Sequence, residues 1–559
     1  MRWWALGLCC SLGVAQAEVR LEAPEELALR LRPYLSVENG ARRLRQLSAD
    51  LLATEGYFSP QITLDEAEEG VHLRIDPGPR TRVQRLDIVI NGPLSLERRA
   101  ALLAQWGLPV GQAFRQEDWN QAKTQLLDAL LAEDHAGARL LDSLADIDPQ
   151  QQRAALSLDV DAGPRYVYGD LQIEGLQRFR PALIARYKPG LRPGQPYRAE
   201  DVRALVQALQ ASPYFSRVQA ELDLEQAQTL SADESTAHTR QAPLRLRVQE
   251  QPIHRARFGL GASSNTGARV EAAYGNIDFL RRAWQLETGL RLEEKRQTFF
   301  SDVFLPPTTD GVRYGGGFVA EQSDIEQLRL QRQALGWQRS EQRGRLEERW
   351  SVQWQHEKRQ PGGQGWTTSR ALAPSVSWTW RELDQLIEPR RGVVLQVSLG
   401  GGSKVFFSDQ NFLRLYGRGQ FYVPLGARDS LSLRLELGRT FADARQHVPQ
   451  DYLFRTGGTG SVRGYPYQSL GIKEGNAVVG GRYLATASLE YTHWLNARWG
   501  VAAFVDAGDA VDALQDARLA VGYGLGARWR SPAGPLGVDL AYGARDEALQ
   551  LHFSLLIPF

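Results

Sequence analysis

From about His254 to Phe559 the chain breaks into short stretches in which apolar and polar residues alternate. At its C-terminus Leu549, Leu551, Phe553, Leu555, Ile557 and Phe559 are apolar, with Gln550, His552 and Ser554 between them. A period of two sends successive side chains to opposite faces of a strand. The same alternation runs through Leu431, Leu433, Leu435 and Leu437, separated by Ser432, Arg434, Glu436 and Gly438. It recurs at Trp284, Leu286 and Leu290, with Gln285, Glu287 and Arg291 on the other face. One face of each strand suits hydrocarbon and the other needs water. Strands of about ten residues that meet both demands, with no unpaired edge left in lipid, form a closed transmembrane barrel.

Residues 18–252 follow a different pattern. Asp76–Gly92 resembles Asp161–Gly175, with Gly-Pro-Arg recurring at Gly78–Arg80 and Gly163–Arg165, and Gly56-Tyr-Phe-Ser59 echoes Pro213-Tyr-Phe-Ser216. Each repeat reads as a strand, helical stretches and a closing hairpin. In the third, Tyr168–Glu174 leads to helices over Pro181–Tyr187 and Ala199–Gln210, where Val202, Leu205, Val206 and Leu209 keep helical spacing. Its hairpin is expected at Val218–Leu224 and Leu244–Val248, across a polar, mobile loop at Glu225–Ala242. The first hairpin is expected at Gln61–Leu64 and Val71–Ile75, the middle one near Ala138–Leu141 and Ala154–Val160. The fold expected is three α+β modules at 18–79, 80–163 and 164–252, followed by an all-β transmembrane barrel at 253–559. An open sheet edge in such a module can accept an extended segment by strand addition.

Composition narrows the compartment and the chemistry. Arg2, the apolar run Trp3–Val14 and Ala15-Gln16-Ala17 read as a secretory signal peptide over 1–17, giving a mature chain from Glu18. Cys9 and Cys10 are the only cysteines, so the exported chain has no thiol ligand or disulfide. No later run is long and apolar enough for a membrane helix, which leaves strands and the outer membrane. A formal net charge of +1 gives no support to nucleic acid as a partner. The eight histidines include no pair at metal-ligand spacing, and neither a phosphate-binding Gly-Lys-Ser/Thr element nor a Gly-x-Ser-x-Gly elbow occurs. No catalytic residue, metal or cofactor is expected, and the chain reads as a non-enzyme. Trp350, Trp354, Trp378, Trp380, Trp494, Trp499 and Trp529 fall in or beside barrel strands and suit interfacial girdles.

Arg455-Thr-Gly-Gly-Thr-Gly-Ser-Val-Arg-Gly-Tyr465 and Phe504-Val-Asp-Ala-Gly508, beside three modules and a barrel, resemble the outer-membrane assembly superfamily that includes BamA and TamA. Three POTRA modules are most similar to the TamA-type members. The resemblance implies sixteen antiparallel strands in the Gram-negative outer membrane, with periplasmic modules and a weak lateral seam between the first and last strands. Phe258, Gly259, Gly261, Leu551, Phe553 and Phe559 are the expected seam residues, with Gly261 facing a residue near Leu551. Glycine and Pro558 there suit poor pairing, though both are also harmless at strand ends.

The resemblance further implies that Val462, Arg463, Gly464 and Tyr465 form a loop tip folded into the lumen. Arg463 then needs a carboxylate, with Asp506 the first candidate and Glu490 the second; by its residues alone the segment reads rather as a solvated Gly-rich turn. Gly457, Gly458, Gly460 and Gly464 give the fold-back its backbone freedom. The implied function is insertion of outer-membrane clients, autotransporters among them, through the seam into the lipid bilayer, with a TamB-like periplasm-spanning partner. The alternatives are an FhaC-like two-partner exporter of a dedicated substrate and a component of intermembrane phospholipid transport.

Overall fold

The computed structural model describes residues 18–35, 40–67, 70–187, 191–230, 238–531 and 534–558. The expected signal peptide and Phe559 lie outside the described residues. Three small sheets come first. Glu18–Glu22 pairs in parallel with Gly70–Asp76, which pairs antiparallel with Gln61–Ala67. Arg82–Asn91, Arg153–Asp161 and Arg139–Asp148 repeat that order, and Arg165–Glu174, Thr239–Glu250 and Phe215–Leu222 repeat it again. Between the first and second strands of each module lie two helices: Glu25–Leu31 and Gly40–Thr54, Leu96–Ala104 and Gln116–Leu131, Pro181–Ala185 and Ala199–Gln210. Their apolar residues return every three or four positions, so one face is buried. Trp119, Ala122, Leu126 and Leu130 share a core with Leu156 and Leu158 of the sheet.

Three boundaries differ from the sequence expectation. The helix from Pro181 stops at Ala185. The middle hairpin opens with a much longer strand, Arg139–Asp148; it is a sheet edge whose Leu140, Leu141 and Leu144 stay exposed, so the alternation that marks a half-buried strand is blurred. Within the expected polar loop, Gln228–Thr229 bridges Arg240–Gln241, and the closing strand already begins at Thr239. Backbone pairing, which side-chain hydropathy does not report, organises both ends of that loop.

Two compact units divide the chain. One contains the first two modules with Gly190–Gln207 and Val218–Val248; the other contains the barrel together with Gly175–Pro189 and Ala208–Arg217. In the first unit Glu55, just past the helix Gly40–Thr54, joins two modules. Its carboxylate lies 2.6 Å from Arg30 and 3.1 Å from Arg115, and Arg80 donates to its carbonyl at 2.8 Å. In the second, the buried Tyr214 hydroxyl donates to the Ala283 carbonyl at 2.7 Å and accepts from Gln285 at 3.1 Å. Phe179 and Phe215 pack on the same ring, so a module segment is fixed to a barrel turn.

The barrel closes on sixteen antiparallel strands. They are β1 His254–Ser263, β2 Gly267–Phe279, β3 Trp284–Glu293, β4 Arg296–Phe304, β5 Arg313–Ile325, β6 Leu328–Arg343, β7 Leu346–Pro361 and β8 Thr367–Leu383. There follow β9 Gly392–Gly402, β10 Phe412–Pro424, β11 Asp429–Phe441, β12 Tyr483–Trp494, β13 Trp499–Val511, β14 Ala520–Ser531, β15 Gly534–Gly543 and β16 Ala548–Pro558. Leu435, Leu437, Leu549 and Leu551 point outward and His552 inward, as the period of two requires. Trp350, Trp354, Trp380, Trp499 and Trp529 are exposed on the outside, and Trp499 stacks on Trp529 at 5.4 Å. Among the described residues no helix is long and apolar enough to cross a membrane.

Burial alone would raise the Glu55 carboxyl, but Arg115 and then Arg30 outweigh it and hold it below the ordinary carboxylate range. A depressed carboxyl stabilises fully above its unfolded pKa of about 4.3 and loses that effect as pH falls through the lower folded value. In the full-length protein, Glu55→Gln is expected to speed hydrogen exchange at residues 53–58 and 113–118 at neutral pH. It should also remove the extra loosening that acid, from about pH 5 to about pH 3, produces in the parent once intrinsic rates are corrected for. Identical exchange in the two proteins at both pH values would show that the joint does not depend on this carboxylate.

Candidate functional site

Residues 442–482, between β11 and β12, fold back inside the barrel and supply the best-defined site. Small residues on the inner wall make room for them. Val462, Tyr465 and Leu470 pack with Ala520, Phe454 packs with Leu484 and Ala510, and Val448 and Leu453 pack with Ala371, Ala373 and Phe412. Gly457, Gly458 and Gly464 adopt left-handed φ values of 106°, 96° and 91°, where a side chain is strained. Gly460 does not, and the space beside it is open, so it plays no part in the fold-back. On β14, a Cβ added at Gly522 would stand 1.8 Å from the Arg463 carbonyl oxygen. The loop backbone therefore rests directly on the wall.

Arg463 ends in a fixed ionic pocket. Its Nε and Nη2 donate to the two oxygens of Asp506 at 2.7 and 3.0 Å, and its backbone N–H adds a third bond to the same carboxylate at 3.0 Å. Nη1 reaches Glu490 at 2.7 Å and Asp539 at 3.1 Å, and the guanidinium carbon lies 3.4 Å from the centre of the Phe504 ring. Asp506 is fully buried and Arg463 nearly so. Arg528 lies 2.8 Å from Glu490 and 2.5 Å from Asp539. Two arginines thus share three carboxylates. Next in sequence, the Gly464 amide donates to His552 Nε2 of β16 at 2.9 Å, and Tyr465 donates to the Val521 carbonyl at 3.0 Å.

Asp506 and Glu490, both singled out from sequence, meet Arg463 here. Asp539, Arg528 and His552 were not singled out as partners, and Phe504 entered only as part of the Phe504–Gly508 motif. The available signal was the same inward alternation, Asp539 between Val538 and Leu540 and Arg528 between Ala527 and Trp529. Which inward residues converge depends on strand register and loop path, and neither is written in local pattern.

A second anchor lies on the opposite stretch of the loop. Glu357 of β7 is 1% exposed, and both its oxygens accept from the Gln450 amide, at 3.1 and 3.0 Å. Around it Arg332 pairs with Asp451, and Arg359 and Arg445 each reach Glu474 at 3.2 Å. Arg296 of β4 donates to Tyr467 at 3.1 Å. The loop is tied to walls on several sides.

The seam is the second part of the site. Where β6 and β7 pair along their whole length, β1 and β16 pair over only five residues of each strand, from Gly259–Pro558 to Ser263–Ser554. The register corrects the expectation. Gly261 faces Leu556, whereas Leu551 and Phe553 pair with Leu540 and Val538 of β15; Phe258 pairs with Ala272 of β2 alone. Strand β16 changes partner midway: Ala548–Phe553 pairs with β15, and Ser554–Pro558 pairs with β1. Among the described residues the ladder to β15 stops at Val538, just beyond Gly534-Pro535-Leu536-Gly537, where Pro535 has no amide to donate. Ser264 closes the top of the seam, accepting from the Phe553 amide at 3.1 Å. Its neighbour Asn265 donates to Thr459 of the loop at 2.8 Å. The loop therefore touches both sides of the closing edge, at His552 and at Asn265.

Comparison with known proteins places this arrangement. The Omp85 superfamily domain matches residues 212–557, and the POTRA family described as a surface antigen variable number repeat matches residues 166–250. The outer membrane protein assembly factor BamA of Nitratidesulfovibrio vulgaris is 28% identical over 176 residues, covering 30% of this chain and 22% of that protein. The match thus spans about a fifth of that relative's length. The crystal structure of BamA from Haemophilus ducreyi lacking POTRA domains 1-3 superposes with a TM-score of 0.71 at 17% identity, over 86% of this chain and 100% of that one. CdiB from Acinetobacter baumannii superposes with a TM-score of 0.47 at 14% identity, over 96% and 100% of the two chains. The modules are periplasmic and the barrel lies in the Gram-negative outer membrane, so the loop at 442–482 enters the lumen from the cell exterior. Because the family match runs through the whole barrel and into the module before it, this chain belongs to the Omp85 superfamily.

Proposed function

We propose that this protein inserts or translocates β-rich clients at the outer membrane by strand exchange at the β1–β16 seam. The observation that carries the reading is the partner change within β16, which leaves neither neighbour bonded along its full length. In lipid an unpaired backbone group costs several kcal/mol, so an incompletely paired edge favours any incoming strand that can satisfy it. Exchange of one set of backbone bonds for another is close to neutral, so the scheme needs no nucleotide and breaks no covalent bond. The luminal loop holds the edge in register while no client is present, through His552 on one side and Asn265 on the other. Three modules before the barrel favour the TamA-type branch. In that reading autotransporters are among the clients, and a TamB-like periplasm-spanning protein docks on the modules, at the first of them.

Two outcomes test this reading. Gly261→Cys with Leu556→Cys, a facing pair across the seam, should form a disulfide that blocks client assembly in cells while the barrel remains folded. Full assembly activity in the oxidised form would exclude strand exchange at this edge. Arg463→Ala leaves Asp506 buried without its cation, a change that costs about 3–5 kcal/mol for a buried pair. New protease cleavage at 457–464 from the cell exterior is expected, with assembly reduced. Gly522→Ala should do the same through sterics alone with every charge retained, so protection in both variants would show that the loop does not depend on this pocket.

A further inference from the structure

The lipid-facing wall has a depression that the seam reading does not use. On the outward face Gly417 of β10 and Ala485 of β12 are small, between Val397, Leu415 and Leu437. A side chain at Gly417 would meet nothing closer than 3.9 Å. The β13–β14 loop folds over this patch and adds Leu514 and Leu519, which stay 69% and 62% exposed, and together they outline a groove of about 520 Å³. Its walls are mostly apolar; Asp509, which also lines it, accepts from the Ala510 and Arg518 amides at 2.8 and 2.9 Å. At the extracellular end the groove continues into a polar cleft, and Arg439 and Tyr483 line both.

Arg439 follows Leu431, Leu433, Leu435 and Leu437 on the outward face of β11, so it stands where the apolar band ends. Its guanidinium lies 4.0 Å from the Phe441 ring centre and 5.2 Å from that of Tyr483, at girdle level, and it makes no ion pair among the described residues. Arg482, also in the cleft, is held by Asp512 at 3.1 Å and the Ala442 carbonyl at 2.9 Å. Of the charged residues, Arg439, Arg482 and Asp443 line this cleft. Beside it the 403–411 turn, held by Asn411 accepting from the Lys404 amide at 2.8 Å, exposes Val405, Phe406 and Phe407.

We infer that this is a binding site for an anionic lipid of the outer leaflet, with its phosphate on Arg439 and one acyl chain in the groove. Position restricts the occupant to what the bilayer supplies, since the groove opens on the lipid side of the wall. The cation at its exterior end then selects among lipids. A headgroup without net charge offers either no phosphate or one already paired with its own ammonium, whereas an anionic phosphate is free to satisfy the guanidinium with charge-assisted bonds. The Leu514–Leu519 strap holds the chain against the strands.

Native mass spectrometry of the folded full-length protein tests the site, with hexa-acylated diphosphoryl lipid A, its dephosphorylated form and phosphatidylethanolamine as probes. One saturable adduct is expected with diphosphoryl lipid A, weakened about tenfold in Arg439→Gln and largely restored in Arg439→Lys. Ala485→Phe fills the groove and should abolish the adduct with the cation intact; should Ala485→Phe lose its heat-modifiable folded band, Gly417→Leu takes its place, folded and with the same loss expected. Equal adducts with all three lipids, or equal occupancy in the parent and Arg439→Gln, would overturn the proposal. None of these readouts involves client assembly, so they stand apart from the fate of the seam reading.

Discussion

A sheet in hydrocarbon has no water to complete its hydrogen bonds, and that single constraint shapes the whole barrel. Its strand junctions answer it by direct pairing, that of β6 with β7 along the full length of both strands. The sixteenth junction, between β1 and β16, is short, and the pairing of β15 with β16 also stops early, at Val538. The deficit is thus concentrated on one strand rather than spread around the cylinder. A barrel closed so unevenly has one place where its backbone is most easily offered to another chain.

The luminal loop compensates for that weakness with electrostatics. Burial of five ionised groups costs several kcal/mol each unless geometry returns it, and here the guanidinium planes of Arg463 and Arg528 meet carboxylates on β12, β13 and β15. The pocket spans strands that precede the seam, and the adjacent Gly464 and Thr459 reach β16 and the β1–β2 turn. Charge buried at one point thus fixes the loop against both sides of the closing edge. Glu357, held by a backbone amide rather than a cation, anchors the loop's earlier part to a distant strand and keeps the tip from swinging.

The periplasmic modules contribute sheet edges and joints. Each sheet leaves two strands unpaired on one side, and the edge Arg139–Asp148 exposes three leucines. The joints are specific: Glu55 gathers three arginines between two modules, and Tyr214 is hydrogen-bonded to a barrel turn. An exposed sheet edge of this kind can take an extended segment by strand addition.

Local pattern determined much of this. Alternation of period two with apolar outer positions sets strand faces because water and hydrocarbon sort side chains residue by residue, and the helical spacing in the Ala199–Gln210 stretch does the same for the modules. The Gly-rich run around Arg463 marked a turn; that its tip enters the lumen was implied by the family resemblance, and the inward parity of Asp506 and Glu490 then marked its partners. Tertiary structure decided what depends on registers summed around a closed sheet: that Gly261 faces Leu556 and not Leu551, that Asp539 and Arg528 complete the pocket, and that Gly460 lies idle. It also decided that β16 serves two neighbours in turn. Parity is a property of one strand, but convergence is a property of all sixteen, because every register shift and every turn length displaces which inward residues share a level.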